Sequence, residues 1–394
     1  SFTQQEAIPA EAIAAAVEVM QSGRLHRYNT GPGETAETAL LEQEFAAWLG
    51  APYCLAVTSG GYALTTALRA FGLRPGEPVL TNGFTLAPVP GAIAGAGGRP
   101  VLVEVTDDLV IDLDDLKVKI ATSGARVLML SHMRGHIVDM DALMAICNAA
   151  GVAVIEDCAH TMGAAWSGVK SGLHGLAACY STQTYKHMNS GEGGFLTSAD
   201  ADLMARATIL SGSYMLYGRH IAAPPEEAFR KVRLETPNCS GRMDNLRAAI
   251  LRPQLRLLDE NCQRWNERYE TVALELANVP GIRLPHRPAE ERFVASSIQF
   301  NLPGASRDKI AAFQKATAAR GVELKWFGAD EPVAFTSRHD SWAYAGRQHL
   351  PQTDRVLSTL MDMRLPLTFS LDDCQLIGRI IRECAMALNA GAAE

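Results

Sequence analysis

The 394-residue chain is 47% hydrophobic and carries 43 acidic against 36 basic residues, a formal net charge of −7. A chain of that length can bury a large core in more than one domain of roughly 100–200 residues, and it has no basic run to track a phosphate backbone, which argues against nucleic-acid binding. The eight cysteines are scattered without a C-x-x-C pair and read as reduced thiols of a cytoplasmic protein; no stretch reaches the ~18 apolar residues of a membrane span.

Residues 11–20 read as an amphipathic helix bearing glutamates, without the basic start and unbroken apolar middle of a signal peptide. From residue 40 the pattern alternates. Helices are expected at 40–49, 62–71, 87–95, 113–122 and 140–150, and strands at 54–57, 78–81, 99–104, 127–130 and 152–156. Short apolar strands separated by helices imply an α/β fold with a mostly parallel sheet buried on both faces. Two further strands, 178–185 and 193–197, flank a Gly-rich turn. The rhythm then changes to one long helix over 245–279, a strand at 296–301, a helix at 307–319, a strand at 322–326 and a last helix at 371–388, with loops at 285–290 and 327–350. A domain boundary is placed near residue 255, dividing the chain into 1–255 and 256–394.

Several stretches bear on chemistry. In Thr58-Ser59-Gly60-Gly61-Tyr62 a strand end runs through small residues into a helix, where free backbone N–H groups and the helix dipole suit a phosphate; the same pattern also occurs as a plain structural turn. The run Val152–Glu156 ends in a second carboxylate, Asp157, followed by Cys158-Ala159-His160. A carboxylate at the C-terminal end of a parallel strand stands where such sheets bind ligands, and it can keep a pyridine nitrogen protonated; capping of a following helix is the alternative. Strand alternation sends Glu156 and Asp157 to opposite faces, so only one reaches a ligand, and Asp157 is preferred. Lys186 precedes the tight turn Gly191-Glu192-Gly193-Gly194. A lysine amine whose pKa is lowered by burial and a neighbouring cation can form a Schiff base and later carry a proton. The hydroxyl of Ser181, on the strand before it, is placed to add to a phosphate site.

Together these stretches, with Thr30-Gly31-Pro32 near the start, Arg242-Met243 and Ala248-Ala249 later, and Arg364-Leu365-Pro366-Leu367 near the end, resemble the DegT/DnrJ/EryC1/StrS family of pyridoxal-phosphate (PLP) aminotransferases, known for placing amino groups on nucleotide-linked keto sugars and aminocyclitol precursors. The match spans almost the whole chain, and the Lys-to-GEGG spacing is its specific part. The resemblance implies PLP fold type I: a large domain with a seven-stranded, mainly parallel sheet, a smaller C-terminal α/β domain, and a homodimer with active sites at the subunit interface. It implies that Lys186 holds PLP as a Schiff base, Asp157 partners the pyridine nitrogen, His160 stands near the ring hydroxyl, and Ser181, Gly60 and Gly61 bind the phosphate. Glutamate or glutamine is the implied amino donor and a keto sugar or cyclitol ketone the acceptor.

The chain departs from the family pattern at Gly61, where a threonine hydroxyl is usual, and at Leu86, where an aromatic usually covers the cofactor ring; Phe84 is the less favoured substitute. The family's asparagine two residues before Arg-Met is Ser240 here, so Asn238 is taken as the residue reaching the partner subunit's phosphate.

Other functions fit less well. A PLP-dependent sugar dehydratase of this family carries histidine where Lys186 stands, and a PLP-binding regulatory protein without turnover is the minority alternative. Gly31-Pro32-Gly33 lacks the preceding strand of a dinucleotide site. His132 and His136 are separated by Gly135, without an H-E-x-x-H motif, so no metal site is expected.

Overall fold

In the computed structural model, which describes residues 5–390, the apolar runs of the first half become β1 (Tyr53–Val57), β2 (Pro78–Asn82), β3 (Arg99–Val103), β4 (Val127–Ser131) and β5 (Ala153–Asp157). The two-residue strands β6 (Ala165–Trp166) and β7 (Val169–Lys170) follow, then β8 (Ala177–Ser181) and β9 (Gly194–Ser198). Seven of these form one sheet in the order β1-β9-β8-β5-β4-β2-β3. The pairings β2–β3, β2–β4, β4–β5 and β5–β8 are parallel, and β9 runs antiparallel to both of its neighbours.

Both faces of this sheet are covered, which is why its strands read as continuous apolar runs. Leu55, Val127, Met129 and Ile155 point to the face covered by the helices Gly60–Phe71 and Ala201–Leu210. Ala56, Leu128, Leu130 and Val154 point to the face covered by Glu37–Leu49, Met140–Ala149 and Asn245–Arg256. The parallel strands share one C-terminal edge, where Ser131, Asp157 and Ser181 end β4, β5 and β8.

The second half builds a smaller antiparallel sheet, β11 (Ser297–Asn301), β12 (Lys325–Trp326) and β13 (Leu360–Arg364), in the order β11-β13-β12. Val272, Ile298, Phe300, Phe313, Met361 and Ile377 fill its own core with the helices Leu258–Leu276, Arg307–Ala318 and Leu371–Ala390. β10 (Glu291–Arg292) pairs with β6 and closes a third, three-stranded sheet.

Several expectations are corrected. The single helix over 245–279 is two, Asn245–Arg256 and Leu258–Leu276, which meet at Leu257 with φ −96° and ψ −2°. Pro253 lies in the last turn of the first helix, where it removes a backbone donor and crowds the preceding turn. The break lets Leu258, Cys262 and Trp265 join the core of the large sheet while Tyr269, Val272 and Leu276 join that of the small one. The strand expected over 178–185 ends at Ser181, because the chain then turns, with Lys186 N–H bonded to Gln183 O at 2.8 Å. The strand expected over 322–326 is only Lys325–Trp326. β13 has no counterpart in the expected elements, since Asp362 and Arg364 interrupt the pattern of a buried strand.

Candidate active site

After β1 the chain passes through Ser59, whose Oγ accepts the Tyr62 N–H at 3.0 Å and caps the helix Gly60–Phe71. The N–H groups of Gly60 and Gly61 lie in the first turn, where no intrahelical acceptor exists. A Cβ on Gly60 would stand 2.8 Å from Ser181 Cβ, so this helix start meets the end of β8 only because residue 60 is glycine. Gly61 is under no such pressure, its nearest would-be contact being Ser59 Oγ at 3.9 Å.

Asp157 closes β5 and is buried. Its Oδ1 accepts the Ala159 N–H at 3.1 Å, and its Oδ2 accepts the Ser131 hydroxyl at 3.2 Å. Ser131 in turn accepts the Thr85 hydroxyl at 2.7 Å. Burial raises the Asp157 pKa, opposed in part by the Ala159 N–H and the charge of Lys186. Glu156 turns to the other face, as strand alternation requires. There it accepts the N–H groups of Gly172, His174 and Gly175 and lies 3.1 Å from His132 Nε2. The cluster of His132, Glu156 and Cys158 is therefore a saturated structural knot rather than a set of free ligands, and His136 faces Gln299 instead, at 2.9 Å.

Lys186 Nζ sits 3.0 Å from His160 Nε2. Burial, followed by the positive charge of Arg364, brings the Lys186 pKa down to about 7, with Asp157 opposing. Burial and the charge of Lys186 push His160 well below the ordinary imidazole value.

Ser59, Gly60, Gly61, Leu86, Asp157, His160, Ser181 and Lys186 line one cavity of about 350 Å³. Leu86 presents an apolar wall there, whereas Phe84 is buried edge-on against Phe327, with ring centroids 5.0 Å apart. Asn238 is not brought into this cavity; it is exposed, and its Oδ1 accepts the Tyr214 N–H at 2.8 Å. The cavity also contains Tyr185, Phe335 and Arg364. Arg364 entered the sequence comparison only as part of the Arg-Leu-Pro-Leu match, and the other two were not singled out as site residues.

These residues fit a phosphorylated pyridine aldehyde. The site combines free N–H groups at a helix start, a contact there that a Cβ would close, an apolar wall, a buried carboxylate and a lysine whose pKa is brought down to about 7.

Comparison with known proteins agrees with this chemistry. Residues 6–382 match the model of the DegT/DnrJ/EryC1/StrS aminotransferase family. The chain is 34% identical over 286 residues to the dTDP-3-amino-3,4,6-trideoxy-alpha-D-glucose transaminase of Streptomyces venezuelae, covering 71% of this chain and 69% of that protein. It is 32% identical over 256 residues to the L-glutamine:2-deoxy-scyllo-inosose aminotransferase of Streptomyces fradiae, covering 64% and 59%. The crystal structure of S. venezuelae DesV in complex with a ketimine intermediate superposes with a TM-score of 0.80 at 28% identity, over 95% of this chain and 94% of that one. The chain belongs to the DegT/DnrJ/EryC1/StrS aminotransferase family and is a pyridoxal-phosphate-dependent aminotransferase.

Proposed function

We propose that this protein moves an amino group from glutamine or glutamate to the ketone of a nucleotide-linked sugar or a cyclitol, using Lys186 and Asp157 as its catalytic pair. The observation that carries the reading is the meeting of Lys186, His160 and Asp157 in one cavity beside the Gly60 helix start. The relatives' activities, on a dTDP-sugar and on a scyllo-inosose, support the acceptor class.

Pyridoxal phosphate, when bound, supplies an aldehyde for amine exchange and a ring that accepts the electron pair released at the substrate carbon. Lys186 would hold it through Nζ. The Lys186 Nζ, in its neutral form, would be the base that takes the proton from the donor carbon and, in the second half, the acid that delivers one to the acceptor carbon. Asp157 would keep the pyridine nitrogen protonated, and the Ser131 hydroxyl fixes the direction of its carboxylate. The N–H groups of Gly60 and Gly61, with Ser181 Oγ, would hold the phosphate. His160 would stand by the ring hydroxyl, and Leu86 would pack on the ring.

A homodimer with sites at the interface belongs to the same reading. In it, Asn238 would reach the partner's phosphate, with its Nδ2 left to donate while Oδ1 accepts from Tyr214. The exposed side chains of Tyr214, Met215 and Leu216 beside it are the kind of surface a second subunit covers. The division into a large domain, 1–255, and a small one, 256–394, is likewise proposed; the helix Leu258–Leu276 passes from the core of the large sheet to that of the small one between Trp265 and Tyr269. A cytoplasmic location accords with the eight cysteines being free of disulfides; no helix among the described residues is long and apolar enough to cross a membrane.

The test is single-turnover mixing of the purified protein with glutamine or glutamate, then with a panel of keto sugars and cyclitols, following the cofactor's visible absorption. The donor is expected to bleach the band and a sugar or cyclitol ketone to restore it. Restoration by 2-oxo acids alone, or unchanged turnover in Lys186→Ala, would overturn the reading.

A further inference from the structure

The cavity differs in polarity on the two sides of β5, which stands between β8 and β4 in the large sheet. The segment joining β8 to β9 brings Gln183, Tyr185 and Glu192 to it, all with hydrogen-bonding groups. The segments that follow β2 and β4 bring Leu86, Pro88, Val89 and Met133. Polar residues do stand at the ends of those two strands, but they are turned on one another. Asn82 Nδ2 donates to the Ser131 carbonyl at 3.0 Å, and its Oδ1 accepts the Ser131 N–H at 3.0 Å. The Thr85 hydroxyl donates to Ser131 Oγ, which donates to Asp157. His132 faces Glu156, and Arg134 pairs with Asp362.

The backbone of this wall is equally closed. The helix Pro88–Gly95 begins here, and the first turn of a helix ordinarily offers free N–H groups to a ligand. Pro88 and Pro90 have no N–H to offer. The Val89 N–H is bonded to the Leu86 carbonyl at 3.0 Å, and Ala87 provides no capping side chain. Val89 and Met133 belong to hydrophobic clusters on their other sides, Met133 with Phe84 and Phe327, so the core behind them holds the wall in place. Pro88 is exposed at its rim.

With the phosphate on Gly60, Gly61 and Ser181, and with Leu86 on the cofactor ring, Pro88, Val89 and Met133 are the part of this wall left to meet the substrate. A hydroxyl pressed against them would give up its water and find no partner, whereas a methylene or methyl there gains by burial. We infer that the acceptor is a ring ketone lacking a hydroxyl on the edge turned to β2 and β4, and that Pro88, Val89 and Met133 select it. The inference rests on the aminotransferase reading of this cavity and narrows its acceptor from keto sugars and cyclitols at large to deoxygenated ones. Hydroxyls on the opposite edge have Gln183, Tyr185 and Glu192 to bond with.

The test supplies the cofactor-loaded enzyme with glutamine or glutamate and compares a pentahydroxycyclohexanone with its monodeoxy counterparts as acceptors. For at least one position, removal of the hydroxyl is expected to raise kcat/KM by about 10–100-fold, the range over which an apolar wall rejects an added hydroxyl. Pro88→Ser returns an N–H and a hydroxyl to an exposed position, and Val89→Thr adds a hydroxyl at nearly constant volume. Each should reduce that preference by at least about 3-fold, while Met133→Leu keeps the wall apolar and retains it. The preference is a ratio within one protein, so a general loss of activity in a variant does not enter it. A wild type that favours the fully hydroxylated ketone over every deoxy one, or a preference that both polar variants leave intact, would overturn the inference. If no ketone accepts the amine, the functional reading fails, and calorimetric titration with inositol and its monodeoxy counterparts still decides what the wall selects. Tighter binding of a deoxy compound supports the inference; equal or weaker binding of all of them refutes it.

Discussion

Lys186 Nζ and His160 Nε2 lie 3.0 Å apart on the C-terminal edge of the large sheet; burial and the charge of Lys186 keep His160 neutral, while burial and Arg364 lower the Lys186 pKa. With the lysine pKa near 7, its neutral, nucleophilic form is populated at neutral pH without any other base. The pair also links the turn after β8 to the end of β5, so its spacing is set by packing of the sheet rather than by a loop alone.

The first prediction concerns this lysine. The lowered pKa means the amine is protonated below about pH 7 and neutral above it. The rate at which cofactor-stripped protein takes up PLP should therefore rise through pH 6–8 and level off above that, as read by the growth of visible absorption. A rate still climbing at pH 10 would mean that Lys186 keeps an ordinary pKa. Lys186→Ala should take up cofactor reversibly and show no turnover.

Asp157 is held by Ala159 N–H and by the Ser131–Thr85 chain of hydroxyls. Asp157→Asn keeps the shape but removes the charge that would hold a protonated pyridine nitrogen, and kcat should fall by at least 100-fold. Ser131→Ala leaves the charge and loosens only its direction, so a loss of about 2–10-fold is expected. Steady-state rates at saturating donor and acceptor separate the two.

Adjacent glycines should behave differently. Gly60→Ala puts a methyl 2.8 Å from Ser181 Cβ, which must force the helix start away from β8 at about 1–3 kcal/mol and weaken cofactor binding. Gly61→Ala meets nothing closer than 3.9 Å and should leave stability within about 1 kcal/mol of wild type, since helix propensity favours alanine. Thermal denaturation with and without PLP gives both comparisons.

Far from the cavity, Glu42 is fully buried between Arg27 and His220 and also accepts the Ala56 N–H at 2.8 Å. Burial alone would raise its pKa, but Arg27 and His220 outweigh that and bring it to about 2. A folded pKa below the unfolded one, about 4.3, contributes stability that is fully present above pH 4.3 and lost as the pH falls toward 2. Glu42→Gln leaves Arg27 unpaired and should destabilise the protein by about 3–5 kcal/mol at neutral pH. The gap in Tm between the two proteins should narrow between pH 5 and pH 2; a constant gap would show that charge is not the cause.

Much of the fold was legible because the strands of the large sheet are buried on both faces, and continuous apolar runs ending in small or acidic residues are what that demands. The alternation that separated Glu156 from Asp157 was legible for the same reason, and each side chain lies on its expected face. β13 was not legible. Its Asp362 and Arg364 look like solvent-facing positions, and nothing local indicates that Arg134, also distant in the chain, pairs with the first while the second donates to the Tyr185 carbonyl. The break at Leu257 was hidden because helical periodicity runs on through both halves.

The sequence by itself determined the alternating architecture, the lysine before its Gly-Glu-Gly-Gly turn and the carboxylate at a strand end, since these follow from local pattern and spacing. Only the tertiary structure decided that Leu86 and not Phe84 faces the cavity, that Asn238 lies outside it, and that Arg364 enters it from the other sheet. The physical reason is the same in each case. Burial, charge pairing and the pKa values they set depend on which remote residues a folded chain brings within a few ångströms, and no window of neighbouring residues carries that information.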